Sequence, residues 1–407
     1  ADQNEHLIVP EKVTAHLGSS YLQSVHKYDV IVRSPGVRYW PELLAVQERV
    51  TTATQLFFEE VRSTTDARII AVTGTKGKST TSTLIHKTLE AAGHKSILVG
   101  NIERQDWDMI DSVDDATIIV YEMSSYMLAD FTQRPDIAVM MNVHPCHVDW
   151  HGTFEAYVNA KGQVTAFQGA EDVFVFNATY PELVHIAQRT HARAIPFKHM
   201  QTMHHDGEWF YDGSQELFET ARVKILGRHN RDNVLAVLTV AKLLNINADV
   251  VRSVVEVFEG LPHRLELVAT VDGVSYYDDA IASNPDATIA ALHTFGSRIG
   301  SIILGGKNTG FEFNELAHII KEYHIPYVVL LPGSRAEIKL ALEHANYTGV
   351  FVDVENMQDA VRACQKHTKK DSVALLSTAT PSYDLFKNYK DQGDQFKAAV
   401  LALKPTS

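Results

Sequence analysis

A layered α/β protein with parallel sheets is predicted by three features of this 407-residue chain. Short β-branched runs alternate with helix-patterned segments through most of its length. One strand-to-helix turn, Ala71-Val-Thr-Gly-Thr-Lys-Gly-Lys-Ser-Thr80, is glycine-rich and carries a lysine at its end. Several strands are followed at once by polar residues, which is where an open parallel sheet gathers its ligands.

The elements follow in order. A first sheet is expected from strands near 69–72, 97–99, 117–121, 137–141 and 173–176, and a second from strands near 274–277, 301–304, 327–331, 350–352 and 373–376. Between them, Trp209-Phe-Tyr-Asp-Gly213 reads as a small antiparallel excursion and the stretch from Gly227 to Leu244 as a helix. Gly260-Leu-Pro-His-Arg264 is the candidate hinge between domains. No internal repeat or low-complexity tract interrupts the pattern.

Composition narrows the function. The chain is long enough for two or three domains with proper cores. A formal charge of −13, from 37 basic and 50 acidic residues without a basic cluster, argues against a nucleic-acid partner. Cys146 and Cys364 offer no disulfide framework, no apolar run reaches the length of a membrane span, and no secretory signal is visible. A cytoplasmic enzyme is the expectation. The chain starts at Ala1, which points to a trimmed or designed N-terminus.

The glycine-rich turn has the chemistry of a phosphate cradle. Gly74 and Gly77 let backbone N–H groups approach an anion, and Lys78 supplies charge. Ser79 would place a hydroxyl on Mg²⁺, while the following helix, with Leu84, Ile85 and Leu89 on one face and Gly93 as its stop, directs its positive end at the phosphates. Against the general pattern G-x-x-x-x-G-K-[ST], Val72 occupies the place of the first glycine. An ordinary Gly-rich turn is the competing reading. Polar strand ends add Glu122-Met-Ser-Ser125, Asn142-Val-His-Pro-Cys-His147 and Asp278-Asp279. A carboxylate beside a phosphate loop is a natural Mg²⁺ ligand. His147 and His151 invite a metal reading, but their spacing alone decides nothing among 20 histidines.

These motifs together resemble the Mur ligases of peptidoglycan precursor synthesis, and the resemblance runs through nearly the whole chain. Gly74 to Thr80 is similar to the family phosphate loop, Glu122 to Ser125 to its strand-end glutamate motif, and Asn142 to Lys161 to its histidine and lysine segment. Gly227-Arg-His-Asn-Arg-Asp-Asn233 is similar to its G-x-H-N-x-x-N helix start, and Leu261-Pro-His-Arg264 to its hinge arginine segment. Gly305-Gly306 and the stretch from Ser377 to Phe396 resemble the member that adds glutamate to UDP-N-acetylmuramoyl-L-alanine.

The resemblance implies a three-domain architecture: a shortened Rossmann-like N-terminal domain over 1–52, a central P-loop domain with a parallel sheet over 53–261, and a C-terminal Rossmann-like domain over 262–407. It implies an ATP-dependent, ADP-forming amide ligase, in which ATP phosphorylates the substrate carboxylate and an amine attacks the acyl phosphate. ATP would be held by Gly74, Thr75, Lys76, Gly77, Lys78, Ser79 and Thr80, and by Asn233, Arg264 and Asp279 at adenine, γ-phosphate and ribose. Two Mg²⁺ sites are implied, one on Ser79 and Glu122, the other on a carbamylated Lys161 with His147. Ser34, Gly36, Asn101, Ser124 and His147 would meet the nucleotide-sugar, and Lys307, Thr309, Ser382 and Tyr389 the amino acid. The family also implies that Arg264 engages on closure of the C-terminal domain, that the partners are small molecules only, and that the protein is a monomer.

Departures from the family pattern are part of the reading. Only about 52 residues precede the central domain, so the first strand and its glycine turn are missing and the UDP site is either truncated or built differently, with Asp2 at the end of a lost second strand. Ile281 and Thr309 stand where cations are usual, leaving Lys307 as the substitute, and Cys146 replaces an aspartate before His147. The amino acid is expected to be glutamate, with the D form favoured and the L form open. Two alternatives remain at this point: a folylpolyglutamate synthase, although that family favours glycine where this chain has Ser79, and a non-catalytic nucleotide-binding relative.

Overall fold

The computed structural model describes residues 1, 14–102, 106–225, 227, 229–307 and 310–403. The chain forms two compact units, one of Ala1–Val223 with Arg228–Val257, the other of Lys224–Gly227 with Phe258–Ser407.

In the first unit, β1 (Ile31–Arg33) and β2 (Val50–Thr52) make a two-stranded parallel pair over a small core of Tyr21, Leu22, Val25, Leu43 and Val46. The main sheet follows from β3 (Arg68–Thr73), β4 (Ser96–Gly100), β5 (Ile118–Glu122), β6 (Ile137–Met140), β7 (Val173–Asn177) and β8 (Arg193–Phe197). Its order is β4-β5-β3-β6-β7-β8 with every pairing parallel. Helices cover both faces of such a sheet, so its inner strands read as continuous apolar runs: Ile69 to Val72, Ile119 to Tyr121 and Ala138 to Met140 are all buried. The order reverses at β3, between β5 and β6, which opens the crevice where ligands bind beyond the strand ends. The core on one side is aromatic, with Phe57, Phe58, Tyr121 and Phe131 in mostly edge-on contact.

The antiparallel excursion is larger than expected. It is a three-stranded sheet of β9 (Met203–His205), β10 (Trp209–Asp212) and β11 (Gln215–Glu219). The helix after it runs over His229–Leu243. The edge strand β8 had no counterpart in the sequence reading; it carries Pro196, which an edge position tolerates because one side of the strand donates no ladder bonds.

The second unit holds a six-stranded sheet of order β12-β13-β17-β14-β15-β16, from β12 (Glu266–Val271), β13 (Val274–Asp278), β14 (Ile299–Gly306), β15 (Tyr327–Gly333), β16 (Val350–Asp353) and β17 (Val373–Leu376). Five strands are parallel, and β12 pairs antiparallel with β13. The antiparallel edge strand β12 was not among the strands expected from the sequence. The two-residue turn Asp272-Gly273, with φ of +53° and +81°, folds β12 back as a hairpin.

Candidate active site

The phosphate loop is built by backbone geometry that only certain residues allow. Gly77 has φ +83° and caps the helix Lys78–Ala91; a Cβ there would stand 2.4 Å from Asn233 Oδ1. Asn233 is itself fixed by its Nδ2 donating to Asn230 Oδ1 at 2.7 Å. Asn142, just past β6, clamps the loop: its Oδ1 accepts from the N–H groups of Thr75 (3.1 Å) and Lys76 (2.9 Å), and its Nδ2 donates to Lys76 O (2.9 Å). The Thr75 hydroxyl meets the Tyr157 hydroxyl at 2.8 Å. Lys76 is exposed, Ser79 half-buried and Thr80 buried at the start of the helix.

Two lysines converge on one carbonyl. Lys78 Nζ donates to Gly74 O and Thr75 O, each at 3.0 Å. Lys161 Nζ donates to the same Gly74 O at 2.9 Å and lies 4.8 Å from the centre of the Tyr157 ring. Lys161 is only 1 % exposed. Burial, and next the charge of Lys78, hold its amine well below the ordinary lysine pKa.

Glu122, at the end of β5, is equally buried. Its Oε1 accepts from Asn101 Nδ2 at 3.0 Å, while its Oε2 has no hydrogen-bond partner among the described residues. A buried carboxylate oxygen without a donor is costly unless a cation completes it. The Gly100-Asn101 turn is pressed onto this strand: Gly100 has φ +99° and a Cβ there would stand 2.3 Å from Glu122 O. Ser124 caps the short helix Ser125–Leu128 by accepting from Met127 N.

His147 is exposed at the left-handed start of the short helix Val148–His151 with φ +53°, its ring 4.9 Å from that of Tyr126. His151 bonds Ser125 Oγ at 3.1 Å and stacks on Tyr126, so the structure places it as a packing residue with a satisfied ring nitrogen. Cys146 is a half-buried free thiol. Ser34 and Gly36 lie on an exposed turn, and Trp150 Nε1 donates to Gly36 O at 3.1 Å. The first unit thus brings together the loop, Asn101, Glu122, Lys161 and Asn233. Asn142 and Tyr157 are additions that the sequence reading did not single out, although Asn142 stood in view as a polar strand end.

The second unit carries the other residues. Arg264 sits between two left-handed residues, His263 (φ +60°) and Leu265 (φ +48°). The turn is pinned by two consecutive aspartates: His263 Nδ1 bonds Asp278 Oδ2 at 2.7 Å, and Leu265 N donates to Asp279 Oδ1 at 3.3 Å. Asp279 Oδ2 also accepts from Ser377 Oγ at 2.8 Å. Burial pushes the Asp279 carboxyl up to about 7, against the lowering effect of Ser377 and Arg264. His263, Glu266 and Asp278 cluster at metal-ligand distances, but Lys397 Nζ meets Glu266 at 2.7 Å and the His263–Asp278 bond satisfies the rest, so the cluster is structural.

Ser382 is buried, and Tyr389 opens the helix Tyr389–Leu401 with its ring edge-on to His263 at 6.1 Å. Lys307 is paired with Asp384 at 3.3 Å in an exposed contact. Ile281 donates its N–H to His263 O at 3.2 Å. Thr309 and Asp2 lie outside the described residues.

Comparison with known proteins agrees with this geometry. The model of the Mur ligase middle domain matches residues 72–241, and that of the Mur ligase glutamate ligase domain matches residues 263–379. The UDP-N-acetylmuramoylalanine--D-glutamate ligase of Acetivibrio thermocellus is 33% identical over 406 residues, covering 95% of this chain and 86% of the relative. Two solved structures share the fold at low identity. The UDP-N-acetylmuramate-alanine ligase of Thermotoga maritima superposes with TM-score 0.63 at 18% identity over 94% of this chain and 87% of its own. FolC of E. coli, in complex with ADP, superposes with TM-score 0.62 at 15% identity over 87% and 96%. With both domain models matched in order and a full-length relative above 30% identity, the chain belongs to the Mur ligase family.

Proposed function

We propose that this protein is an ATP-dependent, ADP-forming ligase that joins D-glutamate to the carboxylate of UDP-N-acetylmuramoyl-L-alanine in peptidoglycan precursor synthesis. The observation that carries the reading is the convergence of Lys78 and Lys161 on Gly74 O, in the same unit as a buried Glu122 with one unsatisfied oxygen. The name carried by the Acetivibrio thermocellus relative supplies the substrates.

In this reading the loop amides and Lys78 hold the β- and γ-phosphates, and Asn233, fixed against Gly77, lies toward the adenine. A substrate carboxylate oxygen attacks the γ-phosphorus and ADP leaves. The amine of glutamate then attacks the acyl carbon, a tetrahedral intermediate forms, and phosphate departs as the amide closes. Cations must bring these anionic reactants together. Ser79 and the open oxygen of Glu122 fit a Mg²⁺, which would neutralise developing charge on the phosphates.

Lys161 fits a second metal only after modification, since an amine held by a carbonyl is no acidic ligand. In its neutral form, which the lowered pKa favours, its amine would add CO₂ to form an N–C bond and lose a proton, giving a carbamate with carboxylate-like oxygens. His147 would help orient that side of the site. Arg264 and Asp279 serve the γ-phosphate and ribose, and Ser382, Tyr389 and Lys307 the glutamate. Residues 1–52 serve the nucleotide-sugar through Ser34 and Gly36. The enzyme works as a cytoplasmic monomer; no helix among the described residues is long and apolar enough to cross a membrane.

ADP release measured with UDP-N-acetylmuramoyl-L-alanine and either enantiomer of glutamate tests the reading. Turnover is expected with D-glutamate only. Turnover with L-glutamate and a folate-type acid instead, or none with any acid, would overturn it.

A further inference from the structure

The turn that carries Ser34 and Gly36 is wound around a buried cation. The Arg33 side chain is 0% exposed, although Ser34 and Gly36 on either side of Pro35 are exposed. Its Nη1 donates to three carbonyls of the turn, Ser34 O at 3.3 Å, Pro35 O at 3.0 Å and Val37 O. Its Nη2 donates to both oxygens of Asp130, at 2.9 and 3.0 Å. Tyr39 completes the arrangement: its hydroxyl donates to Asp130 Oδ2 at 2.7 Å and its ring lies 4.9 Å from the guanidinium carbon. Burial and the Asp130 contact push the Tyr39 hydroxyl up to about 12, so it remains a donor at any working pH.

Asp130 stands just past the helix Ser125–Leu128, on the chain segment that leaves Glu122. A second tie runs from Trp150 Nε1 to Gly36 O, from the segment bearing His147. The turn is therefore registered from both sides against segments that carry proposed chemistry.

We infer that Arg33 is a positioning residue for the nucleotide-sugar, shaping the Ser34–Val37 turn by its three carbonyl contacts and fixing that turn to the Glu122 segment through Asp130. The inference rests on the function proposed above. A planar guanidinium suits the task because one nitrogen gathers carbonyls while the other pairs with a carboxylate, a fork that the single ammonium of lysine does not reproduce.

The test is a kinetic comparison of full-length wild type, Arg33→Lys, Asp130→Asn, the double variant and Tyr39→Phe with UDP-N-acetylmuramoyl-L-alanine, D-glutamate and ATP. Arg33→Lys is expected to raise KM for the nucleotide-sugar by about tenfold or more, with kcat within about threefold and the KM for ATP unchanged. Asp130→Asn should act in the same direction and add little to Arg33→Lys, because both break one unit. Tyr39→Phe removes a single hydroxyl and should raise the same KM by about two- to fivefold; it decides the matter if the arginine variant does not fold. An unchanged nucleotide-sugar KM across the variants, or equal losses in both substrates and kcat, overturns the inference alone. A wild type that does not consume the nucleotide-sugar overturns the inference and the proposed function together.

Discussion

Asp279 makes the stability of the second unit depend on pH in a direction opposite to that of most aspartates. Its folded-state pKa is raised from 3.8 to about 7, chiefly by burial. Between those values the folded chain keeps a proton that the unfolded chain has released. Stability therefore falls as pH rises through that window, and the contribution present in acid is gone above the folded pKa. Each pKa unit is worth about 1.4 kcal/mol, and only part of the shift is sampled between pH 5 and 8, so the second unit should lose about 2 to 3 kcal/mol over that range. Asp279→Asn supplies the neutral reference. Its side chain has nearly the same shape, and Ser377 Oγ, which also lies 3.0 Å from Thr288 Oγ1, can turn to accept from the carboxamide.

The two units can be followed separately. All four tryptophans, Trp40, Trp107, Trp150 and Trp209, fall in the first unit, so their fluorescence reports its unfolding alone, while far-UV circular dichroism reports both. Urea titrations at pH 5, 6, 7 and 8 should show the circular dichroism transition of the wild type moving to lower urea as pH rises, with the tryptophan transition as internal control. In Asp279→Asn that movement should shrink by the amount given above. Equal pH slopes in the two proteins, or a wild type that gains stability relative to the variant as pH rises, would show that Asp279 is ionised in the folded state.

Three further outcomes are expected. Lys78→Ala should lower substrate-dependent ADP release by at least about a hundredfold, with little change in melting temperature, because the transferring phosphoryl group loses its nearest point charge; retention of more than a few per cent of activity would refute the assigned cradle. Lys161→Ala should abolish most turnover while leaving ATP affinity within about twofold, and added short carboxylic acids should restore part of the rate; an active, CO₂-equilibrated wild type whose intact mass shows no adduct would refute the carbamate. Lys307→Ala should raise the D-glutamate KM by about three- to tenfold with the KM for ATP unchanged, a modest effect because the lysine is exposed and shared with Asp384; a KM unmoved by the substitution would place the glutamate carboxylate elsewhere.

What could be read from the sequence was whatever is local in the chain. The phosphate loop was legible because a β-branched strand, two glycines and a lysine lie within ten residues, and the helix stop at Gly93 is the left-handed residue that such a stop requires, with φ +84°. The antiparallel β12 was missed although Asp272-Gly273 is a hairpin signal, because the sequence reading assigns no element between the expected hinge at 260–264 and the strand at 274–277. Asn142 was visible as a polar strand end, but its double grip on Thr75 and Lys76 depends on β3 and β6 being neighbours, which pairing alone decides. Arg33 is the clearest case. An arginine before Ser34-Pro-Gly36 looks like a solvated charge, and only the fold turns it inward onto Asp130, nearly a hundred residues further along the chain.

The two lysines at Gly74 O show how burial divides labour between identical side chains. Both Nζ atoms touch one oxygen, so they are no more than about 6 Å apart. At an effective dielectric of about 20, two ammonium charges at that separation would repel by about 3 kcal/mol, which favours loss of a proton from one of them. Solvation decides which one yields. Lys78 is half-buried at a helix start; Lys161 is sealed among Tyr157, Thr73 and the loop and bears the desolvation as well. The same packing that disfavours the Lys161 ammonium favours its free amine, the form that can take up CO₂. A single shared carbonyl and a difference in exposure thus set the two lysines apart.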